Sequence, residues 1–166
     1  LLEELPAWTG SRNLLTALGQ TPKHHLADPG LAARLVGVSS RSLLSRPDPG
    51  AVSIPRDGTL VGALFESLVT LSTRVYADAV GASVSHLRTQ RGDHEVDLIV
   101  TGDDGAIVAL EVKLGPVPDD RDVRHLRWLR DRLGDDLADA AVITTGPAAY
   151  RRPDGIAVIP AALLEP

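Results

Sequence analysis

From residue 58 onward the apolar positions alternate between two periods. In "GTLVGALFESLVTLSTRVYADAV", Val61, Leu64, Phe65, Leu68, Leu71 and Val75 recur at helical spacing, which predicts a long helix over roughly 59–77. "SVSHLRTQ", residues 83–90, alternates with the period of a strand, and the "RGD" at 91–93 is a turn. "HEVDLIVTGDDGAIVALEVKLG", residues 94–115, is two apolar runs around a tight polar turn. "PDDRDVRHLRWLRDRLG" reads as a second helix, with acids in its first turn, arginines later and Gly134 as its C-cap. "AAVITTG" and "GIAVIP" are short buried strands, and "AALLEP" is a terminal turn. The order is helix, three strands, helix, strand, strand. It predicts an α/β (α+β) core over 58–166, a mixed sheet with an antiparallel hairpin flanked by helices.

The first third is patterned differently. Residues 1–45 read as a small, mostly helical subregion: "SRNLLTALG" is a short helix, "TPKHHLAD" a short extended segment, and "SSRSLLS" one more turn. "DPGLAARLVG" is a helix with Asp28 as N-cap, Pro29 at the first helical position and Gly37 as its stop. Residues 46–57, rich in proline and glycine, read as a linker loop.

Composition narrows the class. Hydrophobic residues make up 43% of the 166 and aromatics only 3%, so the core is built from Leu, Val, Ile and Ala. No apolar stretch approaches the roughly 18 residues of a membrane span. The chain has no cysteine, which removes disulfides and thiolate metal sites and accords with a cytoplasmic address. It also has no methionine, so it reads as a piece of a longer protein. The net charge of −5 is uneven: +1 over residues 1–57 and −6 over 58–166. That balance argues against a strongly basic, non-specific nucleic-acid binder, but not against an enzyme whose acids hold a cation.

The hairpin carries charges inside apolar runs: Glu95, Asp97, Glu111 and Lys113. Charges rarely sit inside core strands unless they are paired or have work to do. Val96, Leu98 and Val100 form one apolar set; Val108, Leu110, Val112 and Leu114 form another. Burying both sets together predicts a register with a three-residue loop at Gly102-Asp103-Asp104, Glu95 facing Glu111, and Asp97 facing Ala109. Three carboxylates and one amine then share a face. Glu66 interrupts the apolar run "GALFESLV", on a stripe with the mostly small residues Thr59, Gly62, Ala63, Thr70 and Thr73. Such a stripe lets the helix lie close to a sheet and brings Glu66 toward Asp97 and Glu111.

"VD" closing one strand, "LEVKLG" about fourteen residues later and a glutamate on the preceding helix resemble the PD-(D/E)XK nuclease signature. That superfamily includes restriction endonucleases and Holliday-junction resolvases. The resemblance implies a restriction-endonuclease-like core. It also implies that Glu66, Asp97 and Glu111 hold Mg²⁺ or Mn²⁺, while Lys113 serves the nucleophilic water. The polar residue this superfamily often carries on its next helix is replaced here by Arg121, Arg124 and His125. Over nearly the whole chain, "LPAW", "PKHHLADPGLAARLVG", "GALFESLV", "HEVDLIV", "ALEVKLG" and "DGIAVIP" resemble the C-terminal domain of unknown function of prokaryotic AAA+-type ATP-binding proteins. In that family an ATPase module precedes the domain, and no phosphate-binding loop of the G-x-x-x-x-G-K-[ST] type occurs in this chain. The expected function is therefore a Mg²⁺-dependent nuclease-like domain acting on DNA. The alternative is a non-catalytic DNA-binding or regulatory domain of the ATPase.

Arg121, Arg124, His125, Trp128 and Arg132 read as one helical stripe, and the first four are candidate nucleic-acid contacts. The simpler account is a solvated face with Trp128 partly packed. His24 and His25 are adjacent on an extended segment, so they point to opposite faces and do not share a metal.

Overall fold

A computed structural model describes residues 2–10, 21–39, 60–89 and 92–165. The expected helix at 11–19, most of the "SSRSLLS" turn and the linker at 46–57 lie outside the described residues. The elements are β1 (Leu2–Leu5), β2 (Lys23–Leu26), α1 (Pro29–Leu35), α2 (Leu60–Ala79), β3 (Ser83–Arg88), β4 (Glu95–Thr101), β5 (Ile107–Val112), α3 (Arg124–Leu133), β6 (Leu137–Thr144), β7 (Tyr150–Arg151) and β8 (Ala157–Pro160). The mixed α/β expectation holds. Six strands form one sheet in the order β3-β4-β5-β6-β8-β7. β3, β4 and β5 run antiparallel, β5-β6 and β6-β8 are parallel, and β7 returns antiparallel on β8. Strands β1 and β7 escaped the sequence reading; β1 pairs with β2 as a separate antiparallel hairpin.

Alternation along β5 and β6 gives the sheet two covered faces. Ala109, Ala140 and Val142 join Ile99, Ile107, Val123, Leu126, Leu129 and Ile156 in the core beneath α3. Leu110, Val112, Ala141 and Ile143 join Leu5, Leu98, Val69 and Ala157 in the core beneath α2. Helix α2 approaches through small residues: Ser67, Thr70, Thr73 and Ala77 are buried beside Leu64 and Val69. Leu68 and Val75, expected on the apolar stripe, are instead 49% and 57% exposed. A close helix–sheet contact admits short side chains and leaves the larger ones outside.

The N-terminal hairpin is pinned in two places. The Leu26 amide donates to Ser67 Oγ on α2 at 3.3 Å. Beyond β1, the His86 amide donates to the Pro6 carbonyl and the Trp8 amide to the His86 carbonyl, so this segment runs parallel along β3. Asp28 caps α1 as expected, its Oδ1 accepting from the Leu31 amide at 2.8 Å, with Pro29 at the first position. Replacing Asp28 with alanine is expected to cost about 1 kcal/mol of stability, read as a lower urea midpoint with an unchanged slope. An unchanged midpoint would show that α1 needs no cap.

Helix α3 is shorter than expected. The stretch Asp119–Asp122 forms a turn before it, in which Asp119 Oδ1 accepts from the Arg121 and Asp122 amides and Asp122 Oδ2 accepts from the Asp119 amide. The helix starts at Arg124 and ends at Gly134, whose φ of 53° suits glycine.

Candidate carboxylate–lysine site

The hairpin register fixes the site. The pairs Leu98↔Leu110, Ile99↔Ala109, Val100↔Val108 and Thr101↔Ile107 keep the expected parity but shift it by two residues. The turn spans 102–106, and Gly105 takes a φ of 86°. Continued past Leu98, this register sets Asp97, rather than Glu95, opposite Glu111. The ladder opens there: the Val112 amide donates to Asp97 Oδ2 at 2.9 Å, a side chain taking a bond that a strand backbone would otherwise hold. On the other edge of β4, Ser85↔Ile99 and Leu87↔Val96 leave one extra residue in β4, a bulge. The bulge corrects the expected apolar set. Val96 packs with Ile99 beneath α3, while Leu98 packs beneath α2. Alternation from Val96 then turns Glu95 and Asp97 toward the side from which α2 and β2 deliver Glu66 and Lys23.

Two amines knit four carboxylates together. Lys23 Nζ lies 2.6 Å from Glu95 Oε1, 3.6 Å from Asp97 Oδ1 and 3.7 Å from Glu66 Oε1. Lys113 Nζ lies 2.8 Å from Glu111 Oε2 and 3.9 Å from Asp97 Oδ2. Arg88 Nε adds a 3.7 Å contact to Glu95 from the rim. Glu66, Asp97, Glu111 and Lys113 are thus brought together as the sequence reading expected. Lys23 is the member it missed, a lone lysine on a four-residue strand far away in sequence. Glu95 belongs to the cluster through Lys23.

The electrostatics are strained at one point. Glu111 is buried, and its Oε1 has no hydrogen-bond partner among the described residues. Burial and the adjacent Asp97 charge hold the Glu111 carboxyl well above the usual glutamate range, Lys113 offsetting only part of this. Burial and Asp97 raise Glu66 as well. Burial opposes the charge on Lys23, but Asp97, Glu95 and Glu66 outweigh it and raise the amine above its ordinary value. Lys113 follows the same pattern, with burial overcome by Glu111 and Asp97.

A four-carboxylate donor set with one buried oxygen left over is the hard-oxygen chemistry that Mg²⁺ and Mn²⁺ take. As the side chains stand, no three His, Asp or Glu residues among those described are arranged to hold a metal ion. The amines occupy the space between the acids. The donors therefore fit the ion in kind, though not in their present arrangement.

Beside the cluster lies the expected aromatic and basic patch, rearranged. Trp128 stacks on His94, ring centroids 4.0 Å apart and planes 8° from parallel, and the Arg132 guanidinium sits 5.2 Å from its centroid. Arg124 Nε donates to His125 Nε2 at 2.9 Å, so His125 carries its proton on Nδ1 and donates it to His94 Nδ1 at 3.3 Å. Burial, then Arg124, push the His125 pKa down. Arg121 leaves the stripe: it precedes α3 and is held by Asp119 at 2.9 and 3.1 Å. His24 is exposed beside Glu4 and His25 is buried, on opposite faces of β2.

The fold and cluster define a mixed α/β domain with a carboxylate–lysine centre at the open end of a hairpin. Residues 61–164 match the family described as Domain of unknown function (DUF4143), and the chain belongs to that family. Neither the curated proteins nor the solved structures give a match. Among the described residues no helix is long and apolar enough to cross a membrane.

Proposed function

We propose that this domain is a Mg²⁺- or Mn²⁺-dependent phosphodiesterase of the PD-(D/E)XK type acting on DNA, joined in its parent protein to an ATPase module. The observation that carries the reading is the opened hairpin end. There Lys113 bridges Asp97 and Glu111, and Glu111 Oε1 has no partner among the described residues. The order α2, β3, β4, β5, α3, β6, with the acid from α2 directed at the same point, agrees with that reading.

Asp97, Glu111 and Glu66 would hold the ion, and Glu95 would flank them. The bound ion supplies Lewis acidity, which lowers the pKa of a coordinated water and offsets charge developing on the phosphate. Lys113, tethered to Glu111 and near Asp97, orients the attacking water and holds a cation beside the phosphate. The buried position of Glu111 keeps bulk water from competing for its free oxygen. Arg124 and His125 would contact the phosphate backbone, while one face of Trp128 is already taken by the stacked His94 ring.

Plasmid, branched and single-stranded DNA incubated with Mn²⁺ and the wild-type chain should be cut, and Asp97→Asn should leave them intact. Equal cleavage by both proteins, or equal inertness, rules the reading out. The contact of every acid with Lys23, Lys113 or Arg88 favours a second reading, a non-catalytic domain that binds DNA or regulates the ATPase. That reading predicts no Mn²⁺-dependent rise in thermal midpoint that Asp97→Asn removes.

A further inference from the structure

The metal-binding reading, on which this inference rests, leaves one charged member of the cluster without a role. Lys23 comes from β2, outside the residues matched to the family. Its Nζ reaches three carboxylates on two elements, Glu66 on α2 and Glu95 and Asp97 on β4. No other amine in the cluster touches Glu66. Its strand is docked, with the Leu26 amide on Ser67, the residue next to Glu66, and with Leu5 of the paired strand fully buried. The backbone thus places the lysine firmly, while the amine sits at the end of four rotatable side-chain bonds.

We infer that Lys23 is a tethered competitor of the divalent ion: its amine neutralises Glu66, Glu95 and Asp97 in the metal-free protein, and the ion binds by displacing it. Charge counting supports the exchange. Four carboxylates face Lys23, Lys113 and Arg88. With Lys23 swung away the cluster carries a formal surplus of two negative charges, the charge of one Mg²⁺ or Mn²⁺. The separation of the acids agrees as well. Among the described residues they form no three-ligand metal site as they stand, and Lys23 Nζ lies within 3.7 Å of three of them. The unpartnered Glu111 Oε1 marks the side of the cluster that Lys23 does not reach. A site of this kind stays folded without metal and responds to the ion at a threshold set by the lysine.

The test measures Mn²⁺ affinity directly, by calorimetry or by the loss of the free-ion resonance signal, with no reference to cleavage. Removing one competing cation from a cluster of partly buried ion pairs should tighten Mn²⁺ binding about tenfold in both Lys23→Met and Lys23→Gln. Lys23→Arg, which keeps the charge, should remain within about threefold of wild type. Two neutral variants guard against one of them folding poorly. Affinity in the neutral variants equal to or weaker than in wild type overturns the inference, because Lys23 then orders the acids rather than competing for them. Lys23→Arg binding as tightly as the neutral variants overturns it too. If neither wild type nor the neutral variants bind Mn²⁺, the metal reading falls with it, whereas equal binding by all sinks only the role of Lys23.

Discussion

Glu111→Gln is expected to lower Mn²⁺-dependent cleavage about a hundredfold or more, since even outer-shell partners of metal ligands cost about 10–100-fold when changed. The same substitution should make the folded protein more stable than wild type at pH 8, by about 1 kcal/mol. Both effects have one source. The Glu111 carboxylate is buried beside Asp97, with one oxygen unpartnered, so ionising it in the fold is costly. The folded carboxyl binds its proton more tightly than the unfolded one. The Glu111 contribution to stability is therefore fully present below the ordinary glutamate value of 4.5 and is lost as pH rises through the higher folded value. Glutamine has no such proton to lose, and its amide can donate toward Asp97. Urea unfolding of both proteins between pH 4.5 and pH 8 should show the gap opening with pH. A glutamine variant that is less stable than wild type at pH 8 would show that Glu111 is a structural ion pair, and a variant that cuts DNA at the wild-type rate would remove Glu111 from the chemistry.

Leu126→Ala should cost about 3 kcal/mol, the usual range for emptying a fully buried leucine site. For a domain of this length that lowers the thermal midpoint by about 10 °C. Leu126 has no exposed surface and lies among Ile99, Ala109, Leu129 and Val142, where α3 closes over the sheet. The loss should appear equally with and without Mn²⁺, because the cavity sits in the α3 core rather than among the acids. A loss under about 1 kcal/mol would mean that α3 collapses into the gap and is less fixed than its packing indicates.

The sequence made the central hairpin legible to a definite depth. Alternation with period two is strict in β5, and it alone fixes which residues share a face. It does not fix the turn: the apolar pattern is satisfied equally by a loop at 102–104 and by the observed 102–106, and Gly105 with its positive φ decides between them. The bulge in β4 has no composition signal, so Val96 crosses to the other core without notice. Glu66 was readable because an acid inside an apolar helical run has few explanations. Lys23 was not, because its partners lie on α2 and β4 and its own strand is too short to show a pattern. On α2 hydrophobicity misled where size decided: Thr70 and Thr73 are inside and Leu68 is outside.

The short run along β3, in which the Pro6 carbonyl and the Trp8 amide bond with His86, has a consequence for handling this domain. β3 is the first strand of the six-stranded sheet, and the other end is β7, only two residues long. Unpaired strand edges are templates for association with other chains, and a very short edge strand is one way of blunting them. Pro6–Trp8 blunt the opposite edge as a main-chain cover. A fragment trimmed to the matched residues 61–164 would lose that cover together with Leu5, and would present a bare strand edge beside an open hydrophobic slot. Domain boundaries drawn from family similarity would thus uncover a strand edge able to pair with other chains, with no change to a single residue of the sheet.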